Sequence, residues 1–82
     1  MRVYVIQTHC DIGSDMDDLC IYEDYKDAYE GFYAKMKNYK NSGAILLSIE
    51  EPTLEDSCGE VSFKNADDSK TVIKIYDYDV FD

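Results

Sequence analysis

Apolar and polar positions divide the chain into six segments. Residues Arg2 to His9 are rich in β-branched and aromatic types and predict a first strand, internal to a sheet because both faces carry bulky side chains. The stretch Asp11 to Asp18 combines Gly, Ser and four Asp, the composition of a hairpin loop. Leu19 to Tyr22 then predicts a short returning strand. Tyr25, Tyr29, Phe32, Met36 and Tyr39 recur at spacings of 4, 3, 4 and 3, which sets them on one stripe of a helix. Asp24 fits its N-cap, Asp27 a capping-box acid, and Asn41-Ser42-Gly43 its C-terminal stop. Asp24, Asp27 and Glu30 lie early and Lys35, Lys37 and Lys40 late, complementing the helix dipole. Gly31 costs up to about 1 kcal/mol relative to Ala inside a helix, and points to a close approach to the sheet.

Past Gly43, Ala44 to Ile49 predicts a third strand that Pro52 ends, with a long acidic loop over residues 50–59. Glu60 to Lys64 predicts a fourth strand, residues 65–69 a turn, and Lys70 to about Val80 a fifth. Val72, Lys74, Tyr76, Tyr78 and Val80 share one face of the fifth strand, which is expected at an edge. The order ββαβββ gives a single α+β domain over residues 1–82, an antiparallel sheet of four to five strands with one helix packed on one face. One helix cannot cover both sides of such a sheet, so the other face is left for a partner or a second copy.

Composition narrows the function. With 18 acidic and 8 basic residues the net charge is −10, while Leu, Ile, Val and Phe are 19 of 82 residues. That is just above the roughly 20% below which highly charged chains stay disordered. A chain of this size buries only about 60 to 65% of its unfolded surface, too little for a deep catalytic cleft beside a self-sufficient core. Met1 to Gln7 has one positive charge and a four-residue apolar run, without the features of a secretory leader. The longest apolar run, Ala44 to Leu47, is far short of the roughly 20 residues that span a bilayer. Cys10, Cys20 and Cys58 are an odd set without a CxxC pair, which fits free thiols in a reducing cytosol, so a cytoplasmic location is expected. The net charge opposes direct binding to nucleic acid, because affinity for phosphate comes from Lys and Arg.

The candidate chemistries are weak. Asp11, Asp15, Asp17 and Asp18 offer hard-cation oxygens, but counting from Asp11 puts Gly13 at position 3 and Tyr22 at 12, against the EF-hand pattern. His9, Cys10, Cys20 and Cys58 lack the spacing of a zinc site, although Cys10 and Cys20 could face each other across the hairpin. His9 and Cys10 point to opposite faces of a strand, which leaves a pairing of His9 with Cys20 open. The four glycines are dispersed, with no phosphate loop or nucleophile elbow. No enzyme activity, metal or cofactor is expected.

The acids come in patches. Residues 11–30 hold eight acids and one base, Lys26; residues 50–60 hold five acids and no base. Three groups are the candidate partner-binding residues: Asp11, Asp15, Asp17 and Asp18 in the first loop; Glu50, Glu51, Glu55 and Asp56 in the second; and Tyr76, Asp77, Tyr78 and Asp79 on the last strand. If the two loops leave the same end of the sheet they form one anionic surface. Asp77 and Asp79 would project about 6.6 Å apart on one face, a spacing on the scale of neighbouring phosphates. Tyr beside Asp suits the gripping of Arg- and Lys-rich surfaces.

In size, acidity, the opening Met1-Arg2-Val3-Tyr4-Val5 strand, the Asp/Glu loops and the Tyr76-Asp77-Tyr78-Asp79 end, the chain resembles small acidic phage and mobile-element proteins, including anti-CRISPR proteins and other DNA mimics. It is a resemblance of type with no shared motif, so no residue role is carried over. It implies a non-catalytic inhibitor that occupies the basic groove of a host defence nuclease, Asp and Glu standing in for phosphates and Tyr for stacked bases. The alternative is a small homo-oligomer of structural or regulatory role, using the uncovered face or an edge strand.

Overall fold

A computed structural model of the chain describes residues 2–10, 18–53 and 57–80. Five strands, β1 (Arg2–Cys10), β2 (Asp18–Tyr22), β3 (Ile45–Glu50), β4 (Gly59–Lys64) and β5 (Lys70–Asp79), form one antiparallel sheet in the order β2-β1-β5-β4-β3. The one helix among the described residues, α1 (Tyr25–Asn41), follows β2 and lies chiefly over β1, β5 and β2. The α+β architecture and ββαβββ order expected from the sequence are those of the structure.

Helix and sheet meet over a small core. Ile6, Val61, Phe63, Ile73 and Ile75 from the sheet close against Ala28, Phe32 and Met36 from the helix. Asp24 caps α1 by accepting the Lys26 backbone N–H at 3.1 Å, and Ser42 with Gly43 at φ 93° ends it. Gly31 sits where a Cβ would lie 2.6 Å from Tyr22 Oη and 3.2 Å from Ile6 Cδ1, the close approach its position anticipates. The buried stripe is turned relative to the expected one. Ala28 takes the centre, Tyr29 swings out, and Tyr33 packs against the core edge.

One expectation is corrected and two open possibilities are closed. β5 is the middle strand, not an edge, because its ten residues pair with β1 along nearly their whole length and with β4 as far as Ile75. Only its last residues, Tyr76 to Asp79, run beyond the end of β4 and keep β1 as their one ladder partner. β1 and β3 run in opposite directions, so the segments that follow them leave toward opposite ends of the sheet. His9 and Cys20 do not meet: Cys20 is opposite Ile6 on the helix side, whereas His9 is opposite Val72 on the other. Cys10 likewise lies four residues along β1 from Ile6, the cross-strand partner of Cys20.

Candidate functional site

The end of the sheet where α1 begins gathers the most chemistry. Tyr22 ends β2 opposite Tyr4, and Tyr4 is opposite Asp77 on β5, so the chain enters the helix directly over this row. Tyr4, Tyr25, Tyr29 and Tyr33 continue as a line of rings with successive centroids 5.3, 6.0 and 4.7 Å apart. Spacings of this size are those of favourable tilted aromatic pairs. The chain after β3 returns across the sheet here: Pro52 is buried over Gly59, and Tyr25 Oη donates to the Thr53 carbonyl at 2.9 Å. Between that segment and the helix lies a mainly apolar groove of about 410 Å³, lined by Tyr25, Lys26, Tyr29, Pro52 and Thr53.

Charge surrounds the groove. Arg2 lies 3.5 Å from Asp77 and 3.3 Å from Asp79, one cation between two carboxylates on the helix side of the sheet. The hydrogen bond and charge of Asp79, and then the charge of Asp77, hold the Arg2 guanidinium above its ordinary pKa. Glu23, Asp24 and Asp27 stand exposed at the helix start. Burial first, then the Tyr29 hydroxyl and the Glu51 carboxylate, raise the Tyr33 phenol far above its ordinary value, so it remains a proton donor.

The twelve sequence-derived residues are therefore not one surface. Asp77 and Asp79 belong to this end, and Glu51 approaches it through Tyr33. Tyr76 and Tyr78 project to the opposite face, with Tyr78 62% exposed. Glu50 ends β3 opposite Glu60. Asp18 is on another flank, where it pairs with Lys35 at 3.0 Å and its hydrogen bond raises the lysine pKa. Asp11, Asp15, Asp17, Glu55 and Asp56 lie outside the described residues. Arg2, Tyr4 and the Pro52-Thr53 crossing had no motif to mark them. The 25/29/33 spacing of tyrosines did have one, the i, i+4, i+8 row of a helix face.

Among the described residues no group of three His, Cys, Asp or Glu side chains is placed to hold a metal ion. No helix there is long and apolar enough to cross a membrane. These features define a small acidic α+β domain with an anionic, tyrosine-rich end. Comparison with known proteins finds no matching family model, no curated protein of matching sequence and no solved structure that matches.

Proposed function

We propose that the chain is a non-catalytic acidic binding protein that occupies the basic nucleic-acid groove of a host defence nuclease in the cytosol, in the manner of an anti-CRISPR protein or other DNA mimic. The observation that carries this reading is the anionic end of the sheet, where Asp77 and Asp79 share the guanidinium of Arg2 and, at the helix start, Glu23, Asp24 and Asp27 stand exposed around Lys26. Carboxylates on this rigid frame stand in for phosphates, and the adjoining tyrosines supply stiff contact area at low entropic cost. The net charge of −10 adds long-range steering toward a cationic surface, strongest at low salt.

The test is competition. Labelled DNA bound to a basic CRISPR nuclease is displaced by the protein at low salt and retained at high salt. A variant carrying Glu23→Lys, Asp27→Lys and Asp79→Lys fails to displace it, while one carrying Asp15→Lys, Asp17→Lys and Asp18→Lys asks the same of the first loop. DNA binding unchanged by saturating wild-type protein, or displaced equally well by both variants, overturns the proposal.

A further inference from the structure

Independently of that reading, the other end of the sheet order points to a second copy of this chain. β3 closes the sheet, and its outer edge carries a row of backbone donors and acceptors beside side chains that are all exposed. Four of its six residues are large and apolar: Ile45 is 63% exposed, Leu47 52%, and Leu46 and Ile49 38% each. Natural edge strands are blunted by charged residues, Pro or bulges; this one has no Lys or Pro, and its protection is limited to Glu50 at its end and a bulge between Leu46 and Ser48. The helix does not shield it, since α1 lies chiefly over β1, β5 and β2.

Charge and register select the occupant. Cross-strand partners place Glu50 opposite Glu60, and Lys64 opposite Lys70, all on the face away from the helix. Like charges directly opposite each other are unfavourable; Lys64 also meets the exposed Asp68 at 3.2 Å and Glu60 also faces Lys74, and both pairs stand near β3, the acids at its end and the lysines beside its start. An antiparallel copy brings the acidic end of one β3 to the basic end of the other. The bulge makes that register consistent. Leu46 shares a face with Phe63 and Ile49 with Val61, whereas Ile45 and Glu50 share the opposite face with Lys64 and Glu60. Pairing Leu46 with Ile49 and Ile45 with Glu50 of the second copy therefore keeps each residue on the face of its partner, which a regular strand could not do at this odd offset.

We propose that two copies join through β3 about a twofold axis between Leu47 and Ser48, making one continuous ten-stranded sheet. Each Glu50 then lies two strand spacings, about 9.6 Å, from Lys64 of the other copy, within reach of the two side chains. Leu46 and Ile49 of both copies form an apolar strip continuous with the Val61 and Phe63 core. The interface is isologous and closed, so assembly stops at two.

Sedimentation equilibrium and light scattering over a concentration series test this. The expected mass is twice 9.5 kDa. Glu50→Lys and Lys64→Glu each weaken dimerisation about tenfold, because each reversal acts twice in a symmetric dimer, and the double variant returns to near wild type. Glu50→Lys removes a like-charge pair within the protomer, whereas Lys64→Glu also breaks the exposed Lys64–Asp68 ion pair, so circular dichroism and the Tm of each variant separate loss of the dimer from loss of the fold. A monomer at every concentration overturns the proposal. So does a dimer indifferent to both substitutions, which places the contact on another surface, or a mass that keeps growing, the mark of an open β2-to-β3 chain.

Discussion

Gly59 opens β4 beneath the chain that returns from β3, and replacing it with Ala isolates that crossing. A Cβ there would lie 2.7 Å from the Glu50 carbonyl oxygen, 2.8 Å from Pro52 Cδ and 2.9 Å from Pro52 N. These neighbours are backbone and a ring fused to it, so no side chain can turn aside. Gly59 does not need a left-handed conformation, and the ordinary benefit of replacing a strand glycine by Ala is about 0.5 to 1 kcal/mol in favour of the variant. Overpacking against fixed atoms costs about 2 to 3 kcal/mol, which exceeds that benefit and decides the sign. The net loss of about 1 to 2.5 kcal/mol corresponds to a fall in Tm of roughly 4 to 20 °C for a domain this small. Thermal and urea denaturation followed by far-ultraviolet dichroism give the difference, with Gly43→Ala as a comparison in which the added Cβ meets nothing and the cost is the φ of 93° alone. A Gly59→Ala Tm equal to or above wild type would show that Pro52 does not rest on β4, and the groove beside Tyr25 would have to be redrawn.

Tyr25→Phe removes the hydroxyl that anchors Thr53 and keeps the ring against Tyr4. It should cost about 1 kcal/mol in urea titration and hasten proteolysis at residues 51–53, whereas unaltered cleavage there would mean the hydrogen bond holds nothing in place. In the β4–β5 turn, Asp67 accepts from the Ser69 hydroxyl and backbone N–H, which lowers its pKa below the ordinary 3.8. A carboxylate depressed in the folded state contributes stability that is present above pH 3.8 and is lost as pH falls through the folded value. Ser69→Ala should therefore be less stable than wild type near neutral pH, with the gap narrowing below pH 3.8. A gap independent of pH in acid titrations of Tm refutes the assignment.

The local chemistry of single elements was legible from residues alone. Asp24, Gly43 and the glycine at 31 each sit where cap, stop and close approach require them, because these are short-range constraints. The neighbour relations of strands were not. Alternating Tyr and Asp at the end of β5 suggested an edge, yet Thr71, Ile73 and Ile75 of the same strand are buried at the middle of the sheet, and only its overhang behaves as an edge. Whether the two acidic loops converge was open from sequence, because it turns on strand directions that depend on the whole topology. Asp77 and Asp79 share a face as period-two geometry demands. Their common cation, Arg2, is 77 residues from Asp79, and no spacing rule links such a pair. The turned helix stripe has a local reason: Ala28 is small enough to let α1 settle onto the sheet, and that displaces Tyr29 outward in favour of Tyr33.

The placement of β5 at the centre of the sheet has a consequence for how the protein is made. Elements emerging in order supply β1, β2 and α1, then β3 and β4, and those two groups share no ladder until β5 inserts between them. A nascent chain that lacks β5 is two separate hairpins with open edges facing the gap it will fill. Because pairings that join distant segments are the slow ones, acquisition of the native sheet is a late, concerted event after synthesis of β5 rather than a stepwise growth from the first hairpin.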